Sequence, residues 1–172
     1  IYLLLRFSTL FHDVPVWNTL LLVVGLFTAI MSALFAITKT DLKHLTAYST
    51  VSHLGWIVAA IGVGSPIAMA AALTHTLAHA LFKSSLFMLI GVVDHEAGTR
   101  DMRRLGNLRR YMPMTSLLAI VASLAMAGIP LLNGFLSKEM FFAEALEIGG
   151  HGTMRIVISI AALLAGIFGI AY

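Results

Sequence analysis

The sequence predicts an all-α, polytopic transmembrane helix bundle with one discontinuous helix, on three observations. First, 59% of the 172 residues are apolar and 11% are charged, against roughly 45–50% and about 25% in soluble domains. Second, the apolar residues form continuous runs of about 20, long enough to cross a hydrocarbon core of ~30 Å, instead of alternating as barrel strands do. Third, one run is interrupted at its middle by Gly128-Ile129-Pro130-Leu131-Leu132-Asn133-Gly134. The absence of cysteine excludes a disulfide framework, a thiolate zinc site and an iron–sulfur centre. The net charge of +3 is not gathered on a soluble basic face, so nucleic acid is not an expected partner. The chain opens on Ile1-Tyr2-Leu3 without a charged n-region or cleavage site and reads as an internal piece of a longer protein.

In chain order, the first seven residues read as the tail of an upstream span. Residues 16–37 form a nearly charge-free crossing closed by the turn Lys39-Thr40-Asp41-Leu42-Lys43. The second span, 44–63, carries a polar stripe in its first half: Thr46, Ser49 or Thr50, and His53, spaced as one helix face. Gly64-Ser65-Pro66 then breaks the chain, with Pro suited to the first turn of the next helix. The third span, 66–93, is followed by a polar loop, 94–112. The fourth, 113–148, is broken at 128–134, and the fifth covers 153–172. The alternative for the fourth is a complete span ending at Leu132, with Lys138-Glu139 in a solvated loop. The apolar run Met140-Phe141-Phe142-Ala143 favours the broken helix.

Seven of the eleven Lys and Arg residues lie in the 38–43 and 94–112 loops. Two helices separate these loops, which puts them on the same side, and the positive-inside rule makes that side cytoplasmic, in a cell membrane. Arg6 and Arg155 depart from that pattern, whereas Lys83 and Lys138 lie inside apolar segments. His75, His79 and Lys83 recur every four residues and so form a stripe ~12 Å tall on one helix face. Lys83 is roughly 25 Å along its helix from Pro66. A charge at that depth costs on the order of 2.5–3.5 kcal/mol unless it faces protein or water. Imidazole titrates near neutrality, and imidazoles and an amine at one-turn spacing can hand a proton along. The blander reading makes the histidines interhelical hydrogen-bonding groups and lets Lys83 snorkel. A metal on His75 and His79 is disfavoured by the cation one turn further on.

The Gly128–Gly134 interruption, with Gly128, Pro130 and Gly134 as its hinge, suits the irregular backbone that membrane proteins tolerate only inside protein or beside a wet cavity. With the helix restarting at Phe135, Lys138 is expected in its first turn, where the positive dipole end disfavours an ammonium. Ser49 and His53 are candidates for a water or proton path, and Lys43 faces either an interface or that wet region. Phosphate-loop, dinucleotide, zinc-protease and nucleophile-elbow signatures are missing, so neither an enzyme nor a bound cofactor or metal is expected.

Thr40-Asp41-Leu42-Lys43 leading to Ala47-Tyr48-Ser49-Thr50, then His75-x3-His79-x2-Phe82-Lys83, then Ala127-Gly128-Ile129-Pro130 with Gly134-Phe135-Leu136-Ser137-Lys138, together resemble the antiporter-like membrane subunits. Mrp-type sodium/proton antiporters, respiratory complex I and membrane-bound hydrogenases share these subunits. Residues 94–101 and 135–142 are most similar to the A subunit of the multisubunit Mrp antiporter. The resemblance implies the second of two inverted repeats, with 113–148 as its broken helix. It implies a central relay of His75, His79 and Lys83, a terminal exchanging lysine at Lys138, and a third family lysine at Lys43. It further implies other antiporter subunits as partners, the lipid bilayer as surroundings, and protons with a monovalent cation, foremost Na+, as cargo. The alternative is a pumping subunit of an NADH:quinone oxidoreductase or hydrogenase, and a further one is a purely structural scaffold. His53 stands where many members carry Gln, and the first repeat with its glutamate–lysine pair does not lie within these residues.

Overall fold

A computed structural model describes residues 1–11, 13–147 and 153–171. Among them the chain forms eight helices: α1 (Tyr2–Phe11), α2 (Pro15–Ile37), α3 (Leu42–Val63), α4 (Pro66–Ala97), α5 (Leu108–Tyr111), α6 (Pro113–Ala127), α7 (Asn133–Glu147) and α8 (Thr153–Ala171). No named strand occurs among the described residues. Helices α2, α3 and α4 are each long and apolar enough to cross a membrane. The predicted span ends at Ile148 and Tyr172 lie outside the described residues.

Local sequence sets these boundaries. Pro15, Pro66 and Pro113 open α2, α4 and α6, at the position where a missing N–H costs nothing. Gly64, Gly98 and Gly128 close α3, α4 and α6 in the left-handed conformation, which lets the chain turn away while satisfying end carbonyls. At the start of α3, the Asp41 carboxylate accepts from the Lys43 and His44 backbone N–H groups at 2.8 and 3.1 Å. Ser65 Oγ likewise accepts from the Ala68 N–H at 3.0 Å at the start of α4.

Several predicted boundaries are corrected by these caps. The second span starts at Leu42 because Asp41 is its cap, so Leu42 and Lys43 belong to the helix and not to the preceding turn. The third runs to Ala97, not residue 93: Asp94, His95 and Glu96 are polar yet helix-compatible, and the stop is Gly98. The remaining loop contains the short helix α5. The opening residues are helical through Phe11, beyond the seven expected. The interruption in the fourth span is shorter than expected, because α7 restarts at Asn133.

Helix α3 lies in the middle, against α2 and α4, and α4 in turn packs on α6 and α7. The α2–α3 seam is built from small residues. A methyl group on Gly25 would fall 2.5 Å from the Ala59 backbone nitrogen, and one on Gly55 would fall 2.6 Å from that of Ala29. Ser52 Oγ crosses the seam to donate to the Ala29 carbonyl at 2.8 Å. Such backbone approach is how membrane helices gain dispersion contacts when lipid removes the hydrophobic drive. The outer faces are apolar, with Phe27, Leu77, Leu81 and Met88 all exposed, as a lipid or partner-helix environment requires.

At one end of the bundle the two cationic loops are joined. Leu42 N–H donates to the Arg100 carbonyl at 3.1 Å and Met102 N–H to the Thr40 carbonyl at 2.9 Å. The Arg100 guanidinium reaches Asp41 at 3.5 Å and Asp94 at 3.7 Å, tying the start of α3 to the end of α4.

The seam predicts a contrast between two glycines. Gly55→Ala should cost about 1–3 kcal/mol by overpacking, read as a lower melting temperature of the full protein in detergent. Gly91→Ala, inside α4 with nothing within 4 Å of the added methyl, should raise that temperature slightly, by the ~0.5–1 kcal/mol that Ala gains over Gly in a helix.

Candidate functional site

The long α4 helix brings His75, His79 and Lys83 onto its buried face, at 8%, 9% and 4% exposure. Helix α3 meets that face with its polar stripe. Lys83 Nζ donates to Ser49 Oγ and, at 3.4 Å, to the Thr46 carbonyl. Ser49 Oγ itself donates to the Thr46 carbonyl at 2.9 Å, so the hydroxyl is free to present a lone pair to the ammonium. Ser49 and Ser52 are fully buried. The ammonium is therefore met by protein oxygens in place of lipid, which lowers the penalty for its depth.

One to two turns further along, His53 Nδ1 lies 3.0 Å from His75 Nε2, with the rings stacked at 5.2 Å. His79 sits 5.5 Å from the His53 ring and 5.5 Å from Phe82, edge-on to the latter. Its Nε2 is buried with no hydrogen-bond partner among the described residues. His75 Nδ1 contacts Ser137 Oγ on α7 at 2.8 Å. Helices α3, α4 and α7 thus meet at this pair of imidazoles.

Lys138 follows, on the broken helix. The last carbonyls of α6 account for its position. Those of Leu124 and Ala125 accept from the Ile129 and Gly128 N–H groups at 3.1 and 3.2 Å, a Schellman ending. Those of Met126 and Ala127 accept from Lys138 Nζ at 3.0 and 2.9 Å. The orphan acceptors of one half-helix are satisfied by a lysine of the other.

The turn between the halves is a type II turn, with Pro130 at its first central position and the Leu132 N–H bonded to the Ile129 carbonyl at 3.2 Å. It places Leu131 at φ 78°, a strained setting for a bulky residue. Two glycines make the arrangement possible. A methyl on Gly128 would fall 2.7 Å from Lys138 Cδ, and one on Gly134 would fall 1.9 Å from the Ala125 carbonyl. Gly169 of α8 leaves equally close room for Lys138 Nζ.

The expectation that Lys138 sits in the first turn of its helix is corrected. Since α7 begins at Asn133, Lys138 is in the second turn. Its ammonium turns back to the carbonyl end of α6, where the dipole attracts a cation rather than repelling it. A cavity of about 40 Å³ lies beside it, lined by His53, His75, Ser137, Lys138, Trp56 and Phe141 among others, with room for about two or three water molecules.

The structure therefore brings together Ser49, His53, His75, His79, Lys83 and Lys138. Lys43 is exposed in the first turn of α3, outside the buried row. Gly128 and Gly134 line the break, with Pro130 exposed in its turn. Sequence reasoning missed Ser137 as a junction, although a small polar residue beside Lys138 in an apolar run was a visible signal. It also missed Glu144, which is 5% exposed on α7.

Known proteins share this arrangement of helices. The family model described as NADH:quinone oxidoreductase/Mrp antiporter, TM, matches residues 1–165. The chain belongs to this family. It is 51% identical, over its whole length and 17% of the relative, to a protein of Rhizobium meliloti (strain 1021) named as the A/B subunit of a probable K(+)/H(+) antiporter. It is 43% identical, over 86% of the chain and 20% of the relative, to the A subunit of the Na(+)/H(+) antiporter of Bacillus subtilis (strain 168). Among solved structures it is similar to a chain of the Mrp complex from Dietzia sp. DQ12-45-1b, with TM-score 0.91, 53% identity, and 98% and 19% of the two chains covered. A chain of the membrane-bound sulfane sulfur reductase, an archaeal respiratory membrane complex, matches at TM-score 0.76 and 28% identity, covering 88% and 31%. The chain thus spans about a fifth of the length of its curated family relatives.

Outside the membrane-spanning segments, the carboxylate that caps α3 is tuned by its surroundings. The His44 backbone N–H, and after it the Lys43 N–H and the Arg100 charge, hold Asp41 below the ordinary aspartate range against partial desolvation. A depressed folded-state value means that ionised Asp41 favours the folded cap. Its contribution is present above the ordinary aspartate range and disappears as pH falls through the depressed value. Amide-exchange protection of Lys43 and His44 should accordingly stay constant through neutral pH and fall only in acid. Asp41→Ala should lose it at every pH, a change of about 1 kcal/mol.

Proposed function

We propose that the chain is the proton-translocating part of the A subunit of a multisubunit cation/proton antiporter in the cell membrane, with the 38–43 and 94–112 loops facing the cytoplasm. The observation that carries this reading is the set of buried polar groups along α4: Lys83 on Ser49, the His53–His75 pair joined to Ser137, and the cavity beside Lys138. Each end is a lysine held by neutral oxygen acceptors, with no carboxylate partner among the described residues. Such an ammonium can give up and regain its proton without breaking an ion pair.

In this reading a proton enters near Lys83, passes along the imidazoles, and reaches Lys138 through Ser137 and water in the cavity. Protonation at one lysine raises the electrostatic cost of protonation at the next, so the sites load and empty in sequence. The family name covers both quinone-linked and antiporter branches. The 43–53% identity to antiporter relatives against 28% to the archaeal respiratory complex favours the antiporter branch. Two relatives are named for K+ and for Na+, so the cargo exchanged for protons is a monovalent cation, with Na+ our first assignment. The polypeptide around these residues, the second-repeat placement within it, and the other antiporter subunits belong to the same proposal.

The reading is tested in the full-length, assembled complex reconstituted in vesicles. Lys83→Ala and Lys138→Ala should each lower cation-driven proton flux at least tenfold while assembly persists. Unchanged flux in both would contradict the relay.

A further inference from the structure

Among the described residues, the side-chain hydrogen bond that joins the α4 histidines to the broken helix is made by Ser137. Ser137 is 1% exposed, and its hydroxyl has two neighbours of unlike chemistry. His75 Nδ1, at 2.8 Å, can donate or accept, whereas the Gly134 carbonyl, at 3.2 Å, accepts. A hydroxyl has one proton to give, and a neutral imidazole has one donor and one acceptor nitrogen.

Two arrangements satisfy these contacts. With the Ser137 proton on the Gly134 carbonyl, His75 Nδ1–H donates to Ser137 Oγ, and His75 Nε2 accepts from His53 Nδ1–H. With the Ser137 proton on His75 Nδ1, His75 Nε2–H donates to His53 Nδ1. The direction of one hydroxyl therefore fixes the tautomer of both imidazoles.

We propose that Ser137 is the switch of the row, the residue through which protons leave the histidines for Lys138. This inference rests on the relay reading above. In the transfer, the His75 Nδ1–H bond breaks as a new Ser137 O–H bond forms. The original Ser137 proton turns from the Gly134 carbonyl toward the cavity that Ser137 and Lys138 share, and departs to water there and on to the Lys138 amine. His75 Nε2 is refilled from His53 Nδ1, and His53 takes its replacement at the other ring nitrogen from a proton that enters near Lys83. No electrons change hands, and each imidazole or hydroxyl that loses a proton gains one.

The transfer leaves the new Ser137 proton facing His75. The next transfer waits until the hydroxyl swings back to the Gly134 carbonyl and the rings reset. That waiting step makes the junction a gate. The gate is tied to the helix break, because its second acceptor belongs to Gly134, which is seated against the Ala125 carbonyl of α6. A shift of α7 against α6 carries Ser137 and the Gly134 carbonyl together past the Met126 and Ala127 carbonyls that hold Lys138.

The experiment uses the full-length complex in vesicles, with Ser137→Ala, Ser137→Cys and the two lysine variants measured side by side for assembly, proton flux and solvent deuterium isotope effect. Ser137→Ala should assemble and lose at least tenfold in proton flux, with an isotope effect larger than wild type because transfer across the widened gap becomes limiting. Ser137→Cys, of similar size and a weaker donor, should be intermediate. Should Ser137→Ala fail to assemble, the Cys variant decides: slowed flux with a raised isotope effect supports the switch, and wild-type flux overturns it. Slow flux with an unchanged isotope effect would reduce Ser137 to a packing role and overturn the proposal. Wild-type flux in Ser137→Ala alongside inactive lysine variants would also overturn it while leaving the relay intact. Wild-type flux in all of them would remove the relay reading itself.

Discussion

Placing an ammonium at membrane depth is the constraint on which the rest of this molecule depends. Lipid offers no acceptor, so each buried lysine requires protein oxygens brought to it by other helices. Lys83 obtains them from Thr46 and Ser49 on α3, and Lys138 obtains them from the end of α6. Neither acceptor set exists without a particular packing: the first needs α3 beside α4, the second needs α6 to stop early. The lysines and the architecture therefore imply one another.

The helix break gains a second meaning from this. Gly128 and Pro130 end α6 and reverse the chain, and in doing so they leave the Met126 and Ala127 carbonyls without intrahelical partners. In a soluble protein water would answer them; here Lys138 does. Gly134 then allows α7 to restart against the Ala125 carbonyl at a distance that no side chain permits. The break is thus an acceptor site as well as a reversal of the chain, and the strained Leu131 backbone at φ 78° is one cost of making it. At the other end of the row, the Gly25–Ala59 and Gly55–Ala29 contacts anchor α3 on α2, and the Asp41–Arg100–Asp94 contacts tie it to α4.

Much of this was legible in the sequence because it is periodic. His75, His79 and Lys83 at four-residue spacing define one face whatever they pack against, and the Gly128–Gly134 segment announces an interruption through backbone chemistry alone. Helix ends were less legible, since they depend on caps. Asp41 lengthened α3 backwards, and the polar residues Asp94–Glu96 looked like loop although nothing in them stops a helix before Gly98. What periodicity could not show were the partners across helices. That His53 would meet His75, and that Ser137 would meet His75 from 62 residues away, follows from the α3–α4–α7 packing. The same holds for Lys138: its sequence position suggested an unfavourable helix N-terminus, and only the reversal of the chain reveals the favourable carbonyl end.

In the proposed relay one row of polar groups crosses α3, α4 and α7 between the two lysines, and the His53–His75 contact joins its α3 and α4 parts. That contact is measured most directly by nitrogen-15 NMR of the histidine-labelled, assembled complex in lipid, with the two residues assigned by single substitution. The expected result is a through-hydrogen-bond coupling between His53 Nδ1 and His75 Nε2, with complementary tautomers that change together. Two imidazoles with no mutual coupling and independent tautomers would contradict it.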